Sequence, residues 1–154
     1  NRRDQDFAGA SHLTLMDVLE HQEDDRAFMA DLAERMDPGA TLLLTVPAMP
    51  FLWSDWDTKL GHYRRYTKRS LRRAVDSLPL EIEEQSYIFP ELIPAGIARR
   101  LRSRRGSQDD AGAEFPELSN SLNETLYRVG RASMRMRHYW PAGTSLFARL
   151  RHVD

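Results

Sequence analysis

Cysteine is absent from the 154-residue sequence, which excludes disulfide bonds and thiolate metal sites. The composition agrees with a reducing compartment, and we expect a cytoplasmic protein. Charge of one sign is also lacking: the formal net charge is -1, so no overall field attracts nucleic acid and no such partner is predicted. Long apolar runs are missing too, since no stretch approaches the roughly 20 residues of a membrane-spanning helix.

Glycine is scarce and scattered. The eight glycines are isolated, and no Gly-x-Gly sequence occurs. Glycine-rich turns let a backbone approach nucleotides and nucleosides closely. The sequence therefore excludes from this chain the turn with which many α/β proteins bind such groups.

Two apolar runs flank a helical segment in the first third of the chain. Residues 12–19 (HLTLMDVL) and 41–48 (TLLLTVPA) have the length and apolar character of buried strands. Between them, the acidic residues 23–25 favour a helix N-terminus, and residues 37–39 (DPG) end the helix. This order predicts a βαβ unit whose two strands are parallel.

The sequence patterns of the remaining elements are weaker. The pattern predicts a helix from Thr67 to about Leu78, a strand at 80–89, a flexible linker near 106–115, a helix from about Pro116 to Arg137 and a strand at 144–151. The whole sequence is therefore predicted to form an α/β domain.

Residues 49–67 (MPFLWSDWDTKLGHYRRYT), here called the aromatic loop, are too long for a simple connection and too aromatic for disorder. Arginine binds carboxylates and phosphates through two parallel hydrogen bonds, and aromatic rings can line an apolar substrate. We interpret the loop as a substrate-side loop. In the alternative, one arginine pairs with Asp55 or Asp57 to hold the loop, and the aromatic residues form a small satellite core.

These features, in this order, resemble class I S-adenosylmethionine-dependent methyltransferases. The segment 13–48 resembles a strand ending in a D-V-L-E-H-like signature, a helix, a P-G-G-like turn and the next central strand, with Ala40 where the second glycine is usual. The aromatic loop resembles that of one branch of the family, which has a G-H-x-R-R-Y core. The resemblance is strong over 12–72, weaker over 73–90 and 144–151, and absent over 91–143.

The resemblance implies a Rossmann-like class I methyltransferase sandwich that is incomplete, because it lacks the first strands of the sheet. Residues 1–154 would form the C-terminal part of a single methyltransferase domain, with 90–143 as a family-variable helical insertion. The last strand would be antiparallel to its neighbours. The outer edge of strand 12–19 would be bare, so we expect another chain, the N-terminal residues or a missing segment to cover it, and oligomerisation across it is one outcome.

The cofactor implied by the resemblance is S-adenosylmethionine. Ligands of open α/β sheets bind at the carboxyl ends of the strands. Leu15, Met16 and Asp17 lie at such an end, and by resemblance their backbone holds the methionine part of the cofactor. The alternative places Leu15 and Met16 in the core.

Candidate catalytic residues are His21 and His62, because an imidazole with an ordinary pKa of about 6.5 can accept a proton from an acceptor group. His21 can instead hydrogen-bond to a turn, and both alternatives stay open. Asp17 and His21 have the spacing of metal ligands on a helix, but Asp17 is predicted to lie in a strand, so no metal site is predicted. The candidate substrate-binding residues are Trp53, Arg64, Arg65 and Tyr66.

The predicted function is methyl transfer from S-adenosylmethionine to a small-molecule or lipid-like acceptor in the complete protein. The alternative is a non-catalytic half-domain, or an interaction or regulatory module, derived from a methyltransferase. Residues 97–105 are apolar and then strongly basic, which is typical either of peripheral membrane contact or of a solvated helix end whose charges complement the helix dipole.

Overall fold

The computed structural model describes Phe7, residues 9–104 and residues 119–153. Four strands in this part form one sheet in the order β1-β2-β4-β3. The strands are β1 His12–Met16, β2 Thr41–Pro47, β3 Leu80–Ile88 and β4 Ser145–His152. β1 and β2 are parallel, and β4 is antiparallel to both β2 and β3, so both predictions of strand direction are confirmed.

The helices cover the sheet and the aromatic loop. They are α1 Asp25–Glu34, α2 Asp55–Lys59, α3 Lys68–Ala74, α4 Ile93–Arg104 and α5 Asn120–Arg135. Short 3-10 turns lie at Leu19–His21, Pro50–Leu52, Pro90–Leu92 and Arg137–Tyr139. The predicted linker near 106–115 lies outside the described residues.

Capping side chains fix where two helices begin. The Asp24 carboxylate accepts a hydrogen bond from the Ala27 backbone at the start of α1. Thr67 and Ser70 form a reciprocal capping box at the start of α3, as the cap predicted at Thr67 requires. The predicted end of this second helix at Leu78 is wrong, because α3 ends at Ala74 and the chain then turns.

The core lies between the sheet and the helices α1 and α3. β2 alternates half-buried and fully buried residues, and β4 buries every second residue over most of its length, because successive side chains point to opposite faces of a sheet. The fully buried side chains from these two strands are Leu42, Leu44, Val46, Leu146, Ala148 and Leu150.

The strands β1, β2 and β3 run in one direction, so their carboxyl ends share one edge of the sheet with the start of β4. Each of these ends is followed by a residue in the left-handed region: Asp17 (φ 50°), Met49 (φ 58°) and Phe89 (φ 58°). A 3-10 turn begins within two residues of each. The predicted extension of the first strand to residue 19 is therefore wrong, because the backbone leaves the extended region at Asp17.

Glycine is required at one point of this edge. A Cβ atom at Gly143 would lie 2.2 Å from the carbonyl oxygen of Ile88, so only glycine allows β4 to begin against the end of β3.

Among the described residues, none of the helices has the length and apolar character needed to cross a membrane.

Candidate functional site

A cavity of 690 Å³ opens at the carboxyl edge of the sheet. The ends of β1 and β2, the start of β4, the aromatic loop, α4 and α5 contribute to its walls. Charged and imidazole side chains line one part of it: Asp17, Glu20, His21, His62 and Arg65. Apolar side chains line another: Leu52, Trp56, Leu60, Leu92 and Leu126. The cavity therefore combines an ionisable wall with an apolar wall.

Glu20 is the least expected member of the wall, because its side chain is completely buried. Within the described residues, neither of its carboxylate oxygens has a hydrogen-bond partner. Burial, helped by the nearby Asp17 and Asp57 carboxylates, raises the pKa of the Glu20 carboxyl to about 7, against the opposing effects of its own backbone N–H dipole and of Arg65. Glu20 is thus a buried acid that can exchange a proton near neutral pH.

Asp57 organises the aromatic loop from inside. Its Oδ1 atom accepts from Arg65 Nε at 2.7 Å and lies 3.1 Å from His62 Nδ1, and its Oδ2 accepts from the Ser54 backbone at 3.0 Å. The Asp57 side chain is fully buried, so it meets these groups in a low dielectric. The pairing of one arginine with Asp57, given above as the alternative role of the loop arginines, is present.

The same contact orients His62. Because Asp57 accepts at Nδ1, Nε2 of His62 is left to face the cavity wall, 3.9 Å from Glu20 Oε1. Nε2 of His21 lies 4.0 Å from the same oxygen, and the two imidazole rings meet edge to face at 4.8 Å. Gly61, in the left-handed region at φ 74°, lets the chain turn beside His21. Glu20, His21 and His62 are called the Glu-His-His cluster below.

The three candidate cofactor residues separate at the end of β1. Asp17 lines the cavity. Leu15 lines a different groove, of 570 Å³, between β1 and α1. Met16 is 48% exposed, and the Thr45 hydroxyl contacts its sulfur and the Asp17 carboxylate.

The candidate substrate-binding residues also separate. Arg65 lines the cavity while it holds Asp57. Arg64 turns away, pairing with Asp25 at 3.1 Å and donating to the carbonyl groups of Gln22 and Glu23. Tyr66 is 1% exposed and donates to Asp25 at 2.9 Å. Burial and the Asp25 carboxylate raise the pKa of the Tyr66 hydroxyl above its ordinary range. Arg64 and Tyr66 therefore tie the loop to α1.

The aromatic loop is covered by α4. Arg99 lies over the Trp56 ring at 3.9 Å from its centre, Arg100 donates to the Phe51 carbonyl, and the Ser103 hydroxyl accepts from the Asp55 backbone. Trp53 lines a separate pocket of 450 Å³ beside this contact. Part of the basic run at 97–105 thus holds α4 against the loop.

Sequence reasoning missed three residues of the site: Glu20, Asp57 as the orienting partner of His62, and Trp56. Glu20 stood within the D-V-L-E-H-like signature, but a glutamate is seldom buried, and nothing local marks this one as an exception. For Asp57, the five-residue separation from His62 was the available signal.

Comparison with solved structures finds the same fold at low identity. A complex between the Haloferax volcanii Trm112 methyltransferase activator and the putative methyltransferase matches 94% of this chain at a TM-score of 0.53 and 16% identity. The [4+2]-cyclase SpnF matches 93% at 0.51 and 14% identity. A putative sarcosine dimethylglycine methyltransferase from Galdieria sulphuraria matches 94% at 0.51 and 12% identity.

The matches cover 54%, 49% and 53% of those three chains, so this chain spans about half of their length. No protein-family model matches the sequence. No match is found among curated proteins either.

The chain thus has the fold of class I S-adenosylmethionine-dependent methyltransferases, over the part of the sheet described above. The resemblance in the sequence and the predicted fold class are confirmed. One of the similar structures is named a cyclase, which illustrates that this fold does not determine the reaction.

Proposed function

We propose that the chain forms the acceptor-side part of an S-adenosylmethionine-dependent methyltransferase that acts on a small-molecule or lipid-like acceptor. The observation that carries the proposal is the 690 Å³ cavity, which places an Asp57-oriented imidazole beside an apolar wall at the carboxyl edge of a methyltransferase-type sheet.

The described residues fit one part of a cofactor site. Asp17 lines the cavity, and the exposed Met16 lies next to it at the end of β1. No Gly-x-Gly sequence occurs in the 154 residues, so a site for the adenosine part would need residues beyond them. S-adenosylmethionine, when bound, supplies the methyl group.

The chain's own residues position the acceptor and accept its proton. Leu52, Trp56 and Leu92 present an apolar surface to the cavity, which suits the non-polar part of an acceptor. Nε2 of His62 is the proton acceptor, because Asp57 holds Nδ1 and stabilises the imidazolium that forms. Glu20 lies 3.9 Å away and adds a second site for that proton.

The first experiment is calorimetric titration of S-adenosylmethionine into the chain and into the longest natural polypeptide that contains it. We expect one cofactor per polypeptide in the longer form. Failure of that form to bind S-adenosylmethionine would contradict the proposal and favour the alternative, a non-catalytic or regulatory module.

The second experiment compares His62→Gln with His138→Gln. Transfer of a radiolabelled methyl group from S-adenosylmethionine is followed with a panel of small hydroxyl and amine compounds. Loss of a general base typically lowers kcat by about 10²–10⁴-fold, so we expect that loss in His62→Gln with cofactor affinity unchanged. His138 is exposed, lies beside Glu84 on β3 and is not among the residues that line the cavity, so its variant should retain activity.

A further inference from the structure

Proton transfer alone does not explain why the Glu20 carboxylate of the Glu-His-His cluster is buried without partners. Glu20 is completely buried, yet both of its carboxylate oxygens lack hydrogen-bond partners among the described residues. A buried carboxylate without partners is costly, and the usual compensations are a hydrogen-bond donor, a proton or a cation. Imidazole nitrogens of His21 and His62, which can also ligate metals, lie 4.0 and 3.9 Å from Oε1 of Glu20.

We propose that Glu20, His21 and His62 form a binding site for a divalent transition-metal cation such as Zn²⁺. One donor atom from each side chain lies within 4.8 Å of the other two. The donors are Oε1 of Glu20 and Nε2 of both histidines, with oxygen-to-nitrogen separations of 3.9 and 4.0 Å. Two imidazoles and one carboxylate are a ligand set for zinc and for other divalent first-row metals.

Two of the three separations between donor atoms are close to those that a bound cation requires. Bonds of about 2.0–2.2 Å in a tetrahedral arrangement hold donor atoms about 3.3–3.6 Å apart. The two oxygen-to-nitrogen separations exceed that range by a few tenths of an ångström, and the two imidazole nitrogens lie within 4.8 Å of each other. Rotation of the His21 side chain, which is half-exposed whereas Glu20 is completely buried, would bring the three donor atoms closer together.

The hydrogen bond to the second ring nitrogen of His62 also supports a metal site. Metal-ligating histidines generally donate their second ring N–H to a carboxylate or carbonyl, which fixes the ring and strengthens the ligand. His62 makes this contact with Asp57 at 3.1 Å, and Arg65 in turn holds Asp57. Nε2 of His62 therefore presents its lone pair to Glu20.

A cation at this position would keep an open coordination site. Three protein ligands leave at least one position of a tetrahedral cation free, as in catalytic zinc sites. All three ligands line the 690 Å³ cavity, so the free position would accept an oxygen of a small molecule held there. For the acceptor this step rests on the proposed function: the bound cation, in place of His62, would lower the pKa of a coordinated hydroxyl group, whose proton would pass to solvent at the cavity opening. Cation binding itself does not depend on methyl transfer.

The test is calorimetric titration of Zn²⁺, after removal of metal with a chelator, into the chain and into any longer natural polypeptide that contains it. We expect one tightly bound cation per chain at neutral pH. Affinity should fall at mildly acidic pH, because protons compete for the imidazoles and the carboxylate. Co²⁺ should bind in the same place and give the visible absorption of a four-coordinate site.

Four variants separate the proposed site from adventitious histidine binding. Glu20→Gln keeps the shape but loses the charge, and His21→Asn removes a ligand from a half-exposed position, so each should weaken Zn²⁺ binding by at least tenfold. Asp57→Asn should weaken it by about 10–100-fold through the orientation of His62. His138→Asn is the matched control, because His138 also lies beside a glutamate, 3.7 Å from Glu84.

The inference is overturned if the wild-type chain binds no Zn²⁺ or Co²⁺. It is equally overturned if Glu20→Gln and His21→Asn both retain wild-type affinity, or if His138→Asn abolishes binding. Far-UV circular dichroism shows whether each variant folds, and His21→Asn, which alters a half-exposed side chain, supplies the answer if Glu20→Gln does not fold. None of these readouts uses S-adenosylmethionine, so the outcome is separate from that of the proposed function.

Discussion

At the scale of single residues, the Asp57 carboxylate has more partners than its position in a short surface helix would lead one to expect. It joins the start of α2 to His62 and Arg65, and it is fully buried while doing so. Removing one partner of a buried ion pair leaves the other charge uncompensated, which is usually more costly than removal of the whole pair.

Asp57→Asn is therefore expected to lower the free energy of unfolding by about 3–5 kcal/mol. Urea unfolding followed by circular dichroism measures it. Asp31→Asn is the matched control, because Asp31 pairs with Arg35 in an exposed i,i+4 contact that contributes only about 0.3–0.5 kcal/mol. Equal losses in the two variants would show that the Asp57 network does not stabilise the loop.

At the scale of elements, an ion pair fastens the segment after α5 to the sheet. Arg137 donates to both carboxylate oxygens of Glu84 on β3, at 2.8 and 3.3 Å. These hydrogen bonds, together with that from Ser86, lower the pKa of the Glu84 carboxyl below its ordinary value. The Arg137–Glu84 pair thus links the turn after α5 to β3 of the sheet.

The pH dependence of this link has a definite sign. A lowered carboxyl pKa contributes stability above the ordinary glutamate pKa of about 4.3, and the contribution is lost as the pH falls through the lower folded-state value. Glu84→Gln should cost about 1–2 kcal/mol at neutral pH and nothing in strong acid, as urea unfolding across pH would show. Glu83→Gln, which removes a more exposed pair with Arg149, should cost less at every pH, and the reverse order would contradict the prediction.

Element type and direction were predictable because the hydrophobic pattern and the resemblance agreed. The βαβ unit and the antiparallel last strand are confirmed. The ends were harder to predict: the first strand stops at Met16 and α3 stops at Ala74. Both segments are followed by a non-glycine residue with positive φ, Asp17 or Ser77, which sequence propensity does not mark.

The residues of the candidate site could be predicted only in part. The sequence singled out His21, His62 and Arg65, which line the cavity, but it did not single out Glu20 or the role of Asp57. Which side chains would turn inward depended on long-range packing: Tyr66 contacts Asp25, 41 residues earlier in the chain, and Arg64 pairs with the same residue. Glu20 is buried 3.9 Å from His62. No local pattern encodes contacts of that kind.

At the scale of the whole molecule, β1 forms an edge of the sheet. Among the described residues it hydrogen-bonds with β2 alone, and its outer side borders the 570 Å³ groove lined by Phe7, Leu13 and Phe28. Unpaired strand edges next to apolar surface promote association. The structure agrees with the bare edge expected from the sequence, and what covers that edge stays a prediction.

The chain alone is therefore expected to self-associate through β1. Thr14→Lys places a charge on the exposed part of this edge and should shift sedimentation velocity profiles towards the monomer. Ser121→Lys, on the exposed surface of α5, adds the same charge elsewhere and should leave the profile unchanged. A wild-type chain that stays monomeric at all concentrations would contradict the expectation.

The left-handed residues after the strands have a consequence for protein engineering. Asp17, Met49 and Phe89 each redirect the backbone within one residue, so the segment that follows begins from a fixed point and direction. Segments of different length could then be exchanged after these points without moving the strands, in the way that antibody loops vary on a constant framework. The segment after Phe89, which begins with the 3-10 turn Pro90–Leu92 and α4 and contributes to the cavity wall, is the natural position for such a library.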